Sequence, residues 1–289
     1  MSKPLWICRR TDRKLVKYLL PKRPRSSHKG DYGKILLLCG SEGLTGAARL
    51  SAKAALRSGA GLVYLGVPER VYPIVAAAAG SEIVFPVPCD GEGRFCMESL
   101  PVIEKKLSGM DAVLFGPGVG RSESMFPLTA ALLSLCRVPL VLDADGINAL
   151  EGHIDVLRES ACPVVLTPHD GEFARIGGKP SAGDRLDEAM RVANLTQSVV
   201  LLKGSRTVIT DGINGYRNYT GNPGMATGGS GDVLSGIVTA LLGQHIMPLE
   251  AAAAAAWLHG AAGDLAAAEK GEYSLVPEDL IDALARLRL

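Results

Sequence analysis

The sequence of 289 residues has almost no net charge and no long apolar run. Lys and Arg number 31 against 30 Asp and Glu, which gives a formal net charge of +1. This balance provides no overall field that would attract nucleic acid or an acidic membrane surface. No apolar run approaches the roughly 20 residues of a membrane span, and the first residues lack the apolar core of a signal peptide. These absences predict a cytoplasmic protein with a small-molecule partner, and neither a nucleic-acid nor a membrane partner.

Cysteine pairing of the kind that binds zinc is also missing. The six cysteines form no CxxC pair, and none clusters with histidine at zinc-finger spacing. Several lie inside apolar runs, where cysteine usually behaves as a small core residue. We therefore expect reduced, structural thiols in a reducing compartment.

The chain contains no Pro/Gly/Ser-rich linker and no internal repeat, so a single domain is the simpler interpretation. Residues 1–25 are rich in lysine and arginine. This composition predicts a basic N-terminal arm with a short helix, solvated rather than bound to an anion. Residues 26–289 are then expected to form one catalytic domain.

Apolar runs of strand length alternate with segments of helical periodicity. These runs lack polar alternation, which is typical of strands buried on both faces. Strands are predicted at 35–39, 62–66, 83–85, 112–115, 140–143, 164–167 and 199–203, and helices at 45–58, 124–135 and 182–196. The alternation predicts an α/β fold with a mainly parallel central sheet and helices on both sides.

The pattern changes near residue 207. Asp211-Gly212 and Asn214-Gly215 are turn signals between two short apolar runs. They predict an antiparallel hairpin near residues 207–219, followed by a helical C-terminal third.

Glycine or small polar residues follow many of the predicted strands. Five such strand ends are Gly40-Ser41, Gly116-Pro117-Gly118, Asp143-Ala144-Asp145, Thr167-Pro168-His169 and Lys203-Gly204-Ser205. Ligands of open α/β sheets bind at the carboxyl ends of the strands. The five strand ends therefore predict one large cleft.

The most informative segment runs from Asn222 to Asp232 and leads into an amphipathic helix. Its glycines allow successive N–H groups to point at one anion, and the helix N-terminus adds partial positive charge. A carboxylate in this first turn, Asp232, is unfavourable for simple phosphate binding. It is suited to taking a proton from a hydroxyl that attacks phosphorus. The alternative is a glycine-rich turn with Asp232 as an ordinary first-turn helix residue.

The same segment, N-P-G-M-A-T-G-G-S-G-D-V-L-S-G at 222–236, resembles the signature of the NAD(P)H-hydrate dehydratases, a ribokinase-like family. The resemblance covers nearly the whole chain, because further motifs match in order and spacing. These are H-K-G-D-Y-G-K at 28–34, the helix motif at 43–63, G-P-G-V-G at 116–120, D-A-D at 143–145, T-P-H-D-G-E-F at 167–173 and K-G-S-R-T at 203–207. The family usually has threonine where this sequence has Ser230, which keeps the hydroxyl.

The resemblance implies a ribokinase-like three-layer α/β/α sandwich and a lyase that repairs nicotinamide nucleotides. In such a reaction a nucleotide phosphorylates the 6-hydroxyl of the S-epimer of hydrated NADH or NADPH, and elimination of phosphate restores the ring. The histidine-type motif at residue 169 is similar to the bacterial branch that uses ADP and releases AMP, with ATP as the other candidate donor. Mg²⁺, a homotetramer and a functional link to an NAD(P)H-hydrate epimerase are further expectations. A fused epimerase domain, which some members carry, is not expected in this sequence.

The resemblance also assigns roles to individual residues. Asp232 would be the general base, beside an anion hole made by Gly228, Gly229, Ser230 and Gly231. The hydrate would contact Ala47, Gly118, His169 and Asp232. The nucleotide would contact Lys203, Gly204, Ser205, Arg206, Thr207 and Gly231. Glu172 would organise Mg²⁺ through water.

Several of these residues have plainer explanations. His169 could only cap a helix, Glu172 could be a first-turn residue favoured by the helix dipole, and Lys203 could be a solvated turn residue. Asp143 and Asp145 could orient substrate or metal, but strand-end aspartates are common helix caps. They stay outside the predicted catalytic set.

Two other functions compete with the dehydratase. A kinase for a small alcohol such as a vitamin precursor would use the same base and anion hole, so only the substrate side separates the two. A non-catalytic nucleotide sensor would need no base, and the carboxylate of Asp232 argues against it.

Overall fold

The computed structural model describes residues 8–181 and 183–287. Within these ranges, ten strands form one sheet that is covered by helices on both faces. The strands are β1 Cys8–Arg10, β2 Lys34–Leu38, β3 Leu62–Pro68, β4 Ile83–Val87, β5 Ala112–Phe115, β6 Leu140–Leu142, β7 Val164–Leu166, β8 Val199–Leu202, β9 Val208–Thr210 and β10 Gly215–Arg217. The helices are α1 Arg13–Leu19, α2 Thr45–Arg57, α3 Tyr72–Ala77, α4 Leu100–Leu107, α5 Met125–Leu135, α6 Asp145–Asn148, α7 Asp170–Arg175, α8 Arg185–Thr196, α9 Ser230–Gly243, α10 Pro248–Lys270 and α11 Pro277–Leu284.

The sheet is mainly parallel, with the strand order β1-β10-β9-β8-β7-β6-β5-β2-β3-β4. Strand β9 is antiparallel to both of its neighbours, β8 and β10. Val208 pairs with Arg217 and Thr210 pairs with Gly215, so β9 and β10 form the predicted hairpin, with the Asp-Gly and Asn-Gly sequences at its turn. The predicted three-layer architecture and the hairpin near 207–219 are therefore both confirmed.

Alternate residues of each central strand enter two separate cores. In β2, Ile35 and Leu37 pack with the helices α2, α9 and α10, whereas Leu36 and Leu38 pack with α5 and α8. A strand between two helical layers has no face left for water, which explains why the sequence shows continuous apolar runs.

The predicted strands correspond to β2 through β8, with ends that differ by at most two residues. The predicted strand 140–143 stops at Leu142, because the chain turns at Asp143 and Ala144 has a positive φ of 49°. The helix predicted at 182–196 begins at Arg185, where the Asp184 side chain accepts a hydrogen bond from the Leu186 amide at 2.7 Å. Residue 182 lies outside the described residues.

The N-terminal segment contains an element that the sequence did not predict. Strand β1 pairs in parallel with β10, with Cys8 opposite Gly215, and α1 packs against α10. Residues 1–7 of the predicted basic arm lie outside the described residues, and the division of the chain at residue 25 stays a prediction. In the described ranges, no helix combines the length and apolarity of a membrane span.

Candidate active site

The ends of five parallel strands meet along one edge of the sheet. Backbone hydrogen bonds connect each strand end to the next: Gly40 N to Pro117 O at 2.8 Å, Asp143 N to Phe115 O at 3.2 Å, Thr167 N to Leu142 O at 3.2 Å, and Lys203 N to Pro168 O at 2.8 Å. The polar strand ends seen in the sequence thus form one continuous rim.

Close backbone approach fixes the position of Asp143 on this rim. A methyl group on Gly116, which has a φ of +129°, would lie 1.9 Å from the Asp143 carbonyl oxygen. Only glycine avoids this overlap. The next residue, Ala144, also has a positive φ. The tight turn leaves the Asp143 side chain almost fully buried, with 1% of its surface exposed.

An ion pair occupies the centre of the site. Lys203 Nζ lies 2.9 Å from Asp143 Oδ1 and 3.7 Å from Glu172 Oε2. A methyl group on Gly231 would lie 3.3 Å from the same Nζ atom. The Lys203 ammonium therefore lies between the strand ends and the N-terminus of α9. The sequence placed this lysine only in a nucleotide-binding loop.

The anion loop, residues 222–232, ends in the first turn of α9. Gly229 precedes the helix with a φ of +93°, and a methyl group there would lie 2.6 Å from Leu50 Cδ1. The first amides of a helix have no partner within the helix, and the helix dipole favours an anion beside them. The Ser230 amide donates to the Thr227 carbonyl at 3.3 Å. The predicted anion hole would therefore depend on the first-turn amides that follow, from Gly231 onward.

Asp232 lies in this first turn, and its carboxyl is unusually basic. Burial, followed by the charge of Asp143, raises the pKa of Asp232 from its ordinary 3.8 to about 7. The Lys203 ammonium opposes this rise, while Glu172 and Asp145 add to it. A carboxylate with a pKa near neutrality can both accept and release a proton at physiological pH.

Lys203 keeps its positive charge in these surroundings. Burial disfavours the ammonium, but the carboxylates of Asp143 and Glu172 outweigh burial and raise the pKa of Lys203. A permanently charged ammonium thus lies beside the base and the helix N-terminus. The arrangement can bind a phosphoryl group and remove a proton from a hydroxyl next to it.

His169 and Glu172 form a reciprocal cap at the start of α7. His169 Nδ1 accepts hydrogen bonds from the amides of Gly171 at 2.9 Å and Glu172 at 3.2 Å, and the His169 amide donates to Glu172 Oε2 at 2.8 Å. The His169 ring is more than half exposed, whereas the Glu172 side chain is buried. The capping explanation therefore holds for both residues, and the exposed ring edge of His169 can still contact a ligand.

Ala47 and Gly118 lie side by side near the strand ends. A methyl group on Gly118, which has a φ of +65°, would lie 2.8 Å from Ala47 Cβ and 3.0 Å from the Leu44 carbonyl oxygen. Ser41 Oγ donates to the Gly118 carbonyl at 2.8 Å. The two residues form a smooth backbone wall that a flat ligand could approach closely.

The loop from Gly204 to Thr207 follows Lys203 directly in the chain and is exposed at its tip. Gly204, Ser205 and Arg206 are exposed, and Thr207 Oγ1 donates to the Gly204 carbonyl at 3.0 Å. Arg185 holds the base of the loop through the Lys203 carbonyl at 2.8 Å. The loop is thus shaped by its own contacts while its tip stays open to a nucleotide.

No direct metal site is formed by the described residues. None of their groups of three or more His, Cys, Asp or Glu side chains has the geometry to hold a metal ion. Mg²⁺ keeps several waters and commonly reaches a protein through substrate phosphates. The carboxylates near Lys203 therefore suit a metal that arrives with a nucleotide.

Two residues that the sequence reading overlooked contact the anion loop from α10. His259 Nε2 lies 2.9 Å from the Ser230 carbonyl oxygen, and Asp264 Oδ2 accepts from the Gly221 amide at 2.9 Å. A signal was present, because Gly260 and Gly263 interrupt an alanine-rich helix, where glycine is unfavourable unless another segment approaches closely.

Comparison with known proteins assigns this chain to a family. The family model described as NAD(P)H-hydrate dehydratase matches residues 35–286, which is most of the chain. The chain belongs to this family. Its match with the family includes all the strand ends and the anion loop described above.

Two relatives illustrate the sequence similarity. The Bifunctional NAD(P)H-hydrate repair enzyme Nnr of Moorella thermoacetica is 46% identical over 270 residues, covering 92% of this chain and 51% of the relative. The enzyme of the same name from Escherichia coli is 37% identical over 278 residues, covering 94% and 50%. The dehydratase-family chain thus spans about half the length of these curated relatives.

Solved structures match over their whole length. The ADP/ATP-dependent NAD(P)H-hydrate dehydratase of Bacillus subtilis, co-crystallised with ATP/Mg²⁺, has a TM-score of 0.82 and 32% identity, covering 96% of this chain and 97% of the other. A ribokinase-like superfamily protein of Enterococcus faecalis has a TM-score of 0.84 and 26% identity, covering 99% and 97%.

Proposed function

We propose that this chain dehydrates hydrated NADH and NADPH, using ADP as phosphoryl donor and releasing AMP and phosphate. The observation that carries the proposal is Asp232, a carboxyl with a pKa of about 7 placed beside the Lys203 ammonium at the N-terminus of α9. Family membership supports the hydrate as substrate, and the Bacillus subtilis relative supports a nucleotide with magnesium.

Asp232 begins the reaction as a base. It takes the proton of the 6-hydroxyl while that oxygen forms a bond to the terminal phosphorus of the nucleotide. The bond between this phosphorus and the bridging oxygen breaks, and AMP leaves when ADP is the donor. A base with a pKa near the working pH is ionised often enough to act and basic enough to accept the proton.

The anion hole and Lys203 would hold the phosphoryl group during this transfer. The predicted anion hole of Gly228, Gly229, Ser230 and Gly231 lies at the N-terminus of α9, and the Lys203 ammonium lies beside Gly231. Charge on the phosphoryl oxygens is stabilised most when the donors are in position before the transfer.

Elimination would then restore the ring. The ring nitrogen donates its lone pair, the carbon–oxygen bond to phosphate breaks, and the neighbouring ring carbon loses a proton to water as the double bond forms. The same amides and ammonium that held the phosphoryl group stabilise the departing phosphate, because both species are anions at one position. A phosphate ester should therefore not accumulate.

The other ligand roles follow the geometry. The wall of Ala47 and Gly118 and the exposed edge of His169 would contact the hydrate. The open loop of Gly204, Ser205, Arg206 and Thr207 would contact the nucleotide. Glu172 would hold Mg²⁺ through water, since both Glu172 oxygens already lie near His169 or Lys203, and the metal would supply positive charge for the nucleotide phosphates.

The remaining biological expectations rest on the family alone. A cytoplasmic location, a homotetramer and a functional link to an epimerase belong to this proposal. ATP in place of ADP is the alternative donor, and the nucleotide assay below decides between them.

The test is a reaction of hydrated NADH, Mg²⁺ and ADP or ATP, followed by absorbance and by phosphorus NMR. Free phosphate should rise in step with reduced nicotinamide, and no phosphate ester should persist. A stable phosphorylated product, or nucleotide consumption without recovery of NADH, would instead identify a small-alcohol kinase.

Asp232→Asn should reduce turnover about 10²–10⁴-fold while nucleotide still binds, as expected for loss of a general base. A variant within a few-fold of the wild type would refute the role of Asp232.

A further inference from the structure

One segment of α10, His259 to Asp264, contacts the anion loop at both of its ends. At the start of the loop, Asp264 Oδ1 accepts from Asn222 Nδ2 at 3.1 Å, and Asp264 Oδ2 accepts at 2.9 Å from the amide of Gly221, the residue just before the loop. At the end of the loop, His259 Nε2 contacts Ser230. The segment from His259 to Asp264 therefore contacts the loop where it begins and where it enters α9.

Two glycines of the same segment let the chain approach closely. A methyl group on Gly260 would lie 2.3 Å from Thr220 Oγ1, and one on Gly263 would lie 2.3 Å from Met225 Sδ. Glycine within a helix costs about 1 kcal/mol relative to alanine. This cost is offset by direct packing of the loop on the helix, so the segment is shaped for contact with the loop.

The contact between His259 and Ser230 fixes the position of one proton. His259 Nε2 lies 2.9 Å from the Ser230 carbonyl oxygen and 3.2 Å from Ser230 Oγ. A carbonyl oxygen can only accept a hydrogen bond, so Nε2 must carry the proton. Burial lowers the pKa of His259 to about 4, so the ring is neutral at pH 7 and has this single N–H donor.

The fixed tautomer sets the direction of the serine hydroxyl. Because Nε2–H is the donor, Ser230 Oγ can only accept from it, and its own hydrogen points elsewhere. Among the described residues, His259 is the hydrogen-bond partner of Oγ. Ser230 is the first residue of α9, where the anion hole opens. The hydroxyl hydrogen is therefore free to donate to an anion at the helix N-terminus.

We propose that His259 is a positioning residue that orients the Ser230 hydroxyl as a hydrogen-bond donor to the transferring phosphoryl group. His259 does not itself touch the substrate. This inference rests on the proposed phosphoryl transfer, and it adds a side-chain donor to the backbone amides of the anion hole.

A double-mutant cycle tests the inference through kcat. Ser230→Ala should lower kcat about 10²-fold, the typical loss of one donor to a developing anion. His259→Phe should lower kcat about 10-fold, because the hydroxyl then samples other directions. The double variant should be no slower than Ser230→Ala, since both changes act through one hydroxyl. His259→Gln, which keeps an N–H donor, should recover part of the loss, and Ser230→Thr should keep most of the activity.

A matched control removes an imidazole elsewhere. His153→Phe alters a ring that stacks on Phe126 at 4.0 Å on the surface, and it should leave kcat unchanged. If the two losses multiply in the double variant, or if His259→Phe retains the wild-type kcat, the positioning role is wrong. A general loss of folding would not produce the non-additive pattern together with rescue by glutamine.

Two further measurements do not depend on the hydrate. Long-range nitrogen–proton NMR should show His259 as the Nε2–H tautomer, and the Nδ1–H form would overturn the inference. Calorimetry with ATP and Mg²⁺ should show that Ser230→Ala and His259→Phe weaken binding non-additively. If the two substitutions weaken ATP binding non-additively but the wild type fails to convert the hydrate, the proposed function is wrong and the positioning role stands. If the wild type converts the hydrate but the two substitutions weaken ATP binding additively, only the positioning role is wrong.

Discussion

Two substitutions that break the same ion pair should shift the pH dependence of catalysis in opposite directions. Lys203→Met and Asp143→Asn each remove one charge of the ion pair at the centre of the site, whose atoms lie 2.9 Å apart. If the pair served only to hold the fold together, both variants would behave alike. If it sets the basicity of Asp232, they must differ in sign.

The signs follow from the charges around Asp232. Its carboxylate is the active form, so activity rises with pH through a pKa of about 7. Lys203 lowers this pKa and Asp143 raises it. Lys203→Met should therefore move the acidic limb of the kcat profile to higher pH, and Asp143→Asn should move it to lower pH. A shift of one unit, equivalent to about 1.4 kcal/mol, would reduce the ionised fraction at pH 7 about five-fold in Lys203→Met.

The two variants should also differ in stability. Lys203→Met leaves Asp143, which is 1% exposed, as a buried charge without its nearest partner. Loss of one partner from a buried pair costs about 3–5 kcal/mol. At roughly 2 °C per kcal/mol for a chain of this size, Tm should fall by about 6–10 °C. Asp143→Asn keeps an oxygen that can accept from the ammonium, so its loss should be smaller.

The assay is kcat against pH from 5 to 9 for the three proteins, below the lowest Tm. The value of kcat at high pH reports how much stabilisation of the phosphoryl group each variant has lost. The pH at half of this value reports the pKa of Asp232, so one profile separates the two effects. Midpoints that move in the same direction, or that stay at the wild-type value, would refute the electrostatic account of Asp232.

Three other outcomes are expected. Gly229→Ala should lower the free energy of unfolding by about 1–3 kcal/mol and kcat at least ten-fold, because the φ of +93° and the nearby Leu50 leave no room for a methyl group. Gly91→Ala is the control, since a methyl group there would meet open space, and it should change neither quantity. The depressed pKa of His259, about 4 against an ordinary 6.5, contributes about 3 kcal/mol to the free energy of unfolding above pH 6.5, and this contribution is lost as pH falls towards 4. The midpoint of urea unfolding should therefore fall across this pH range in the wild type and much less in His259→Gln. If the midpoints of the two proteins fell equally with pH, this linkage would be wrong. His169→Ala should weaken hydrate binding more than ADP binding in calorimetry, and an equal loss for both would argue against separate subsites.

Much of the candidate site could be predicted because its residues follow strands. Parallel strands bring their carboxyl ends to one edge, so Asp143, His169 and Lys203 had to lie on one rim once the alternation was recognised. The glycines before Asp232 likewise predicted a loop that curls around an anion. These features depend on local pattern and chain direction.

Other features could not be read from pattern. Lys203 was predicted to lie in a nucleotide-binding loop, with a solvated turn residue as the alternative. Its contact with the buried carboxylate of Asp143 was not predicted, because it joins residues 60 positions apart in the sequence. Strand β1 was also not predicted, since three exposed residues pair with a hairpin strand 207 positions away.

The sequence by itself determined the layered fold, the hairpin and the place of Asp232 in the first turn of α9, because these depend on periodicity, turn chemistry and the order of motifs along the chain. Only the tertiary structure decided the basicity of Asp232, the charge of Lys203 and the tautomer of His259. Each of these depends on burial and on distances of a few ångströms between residues far apart in sequence. The strand ends and α9 approach one another only when both helical layers close on the sheet, and α10 then sets the shape of the anion loop.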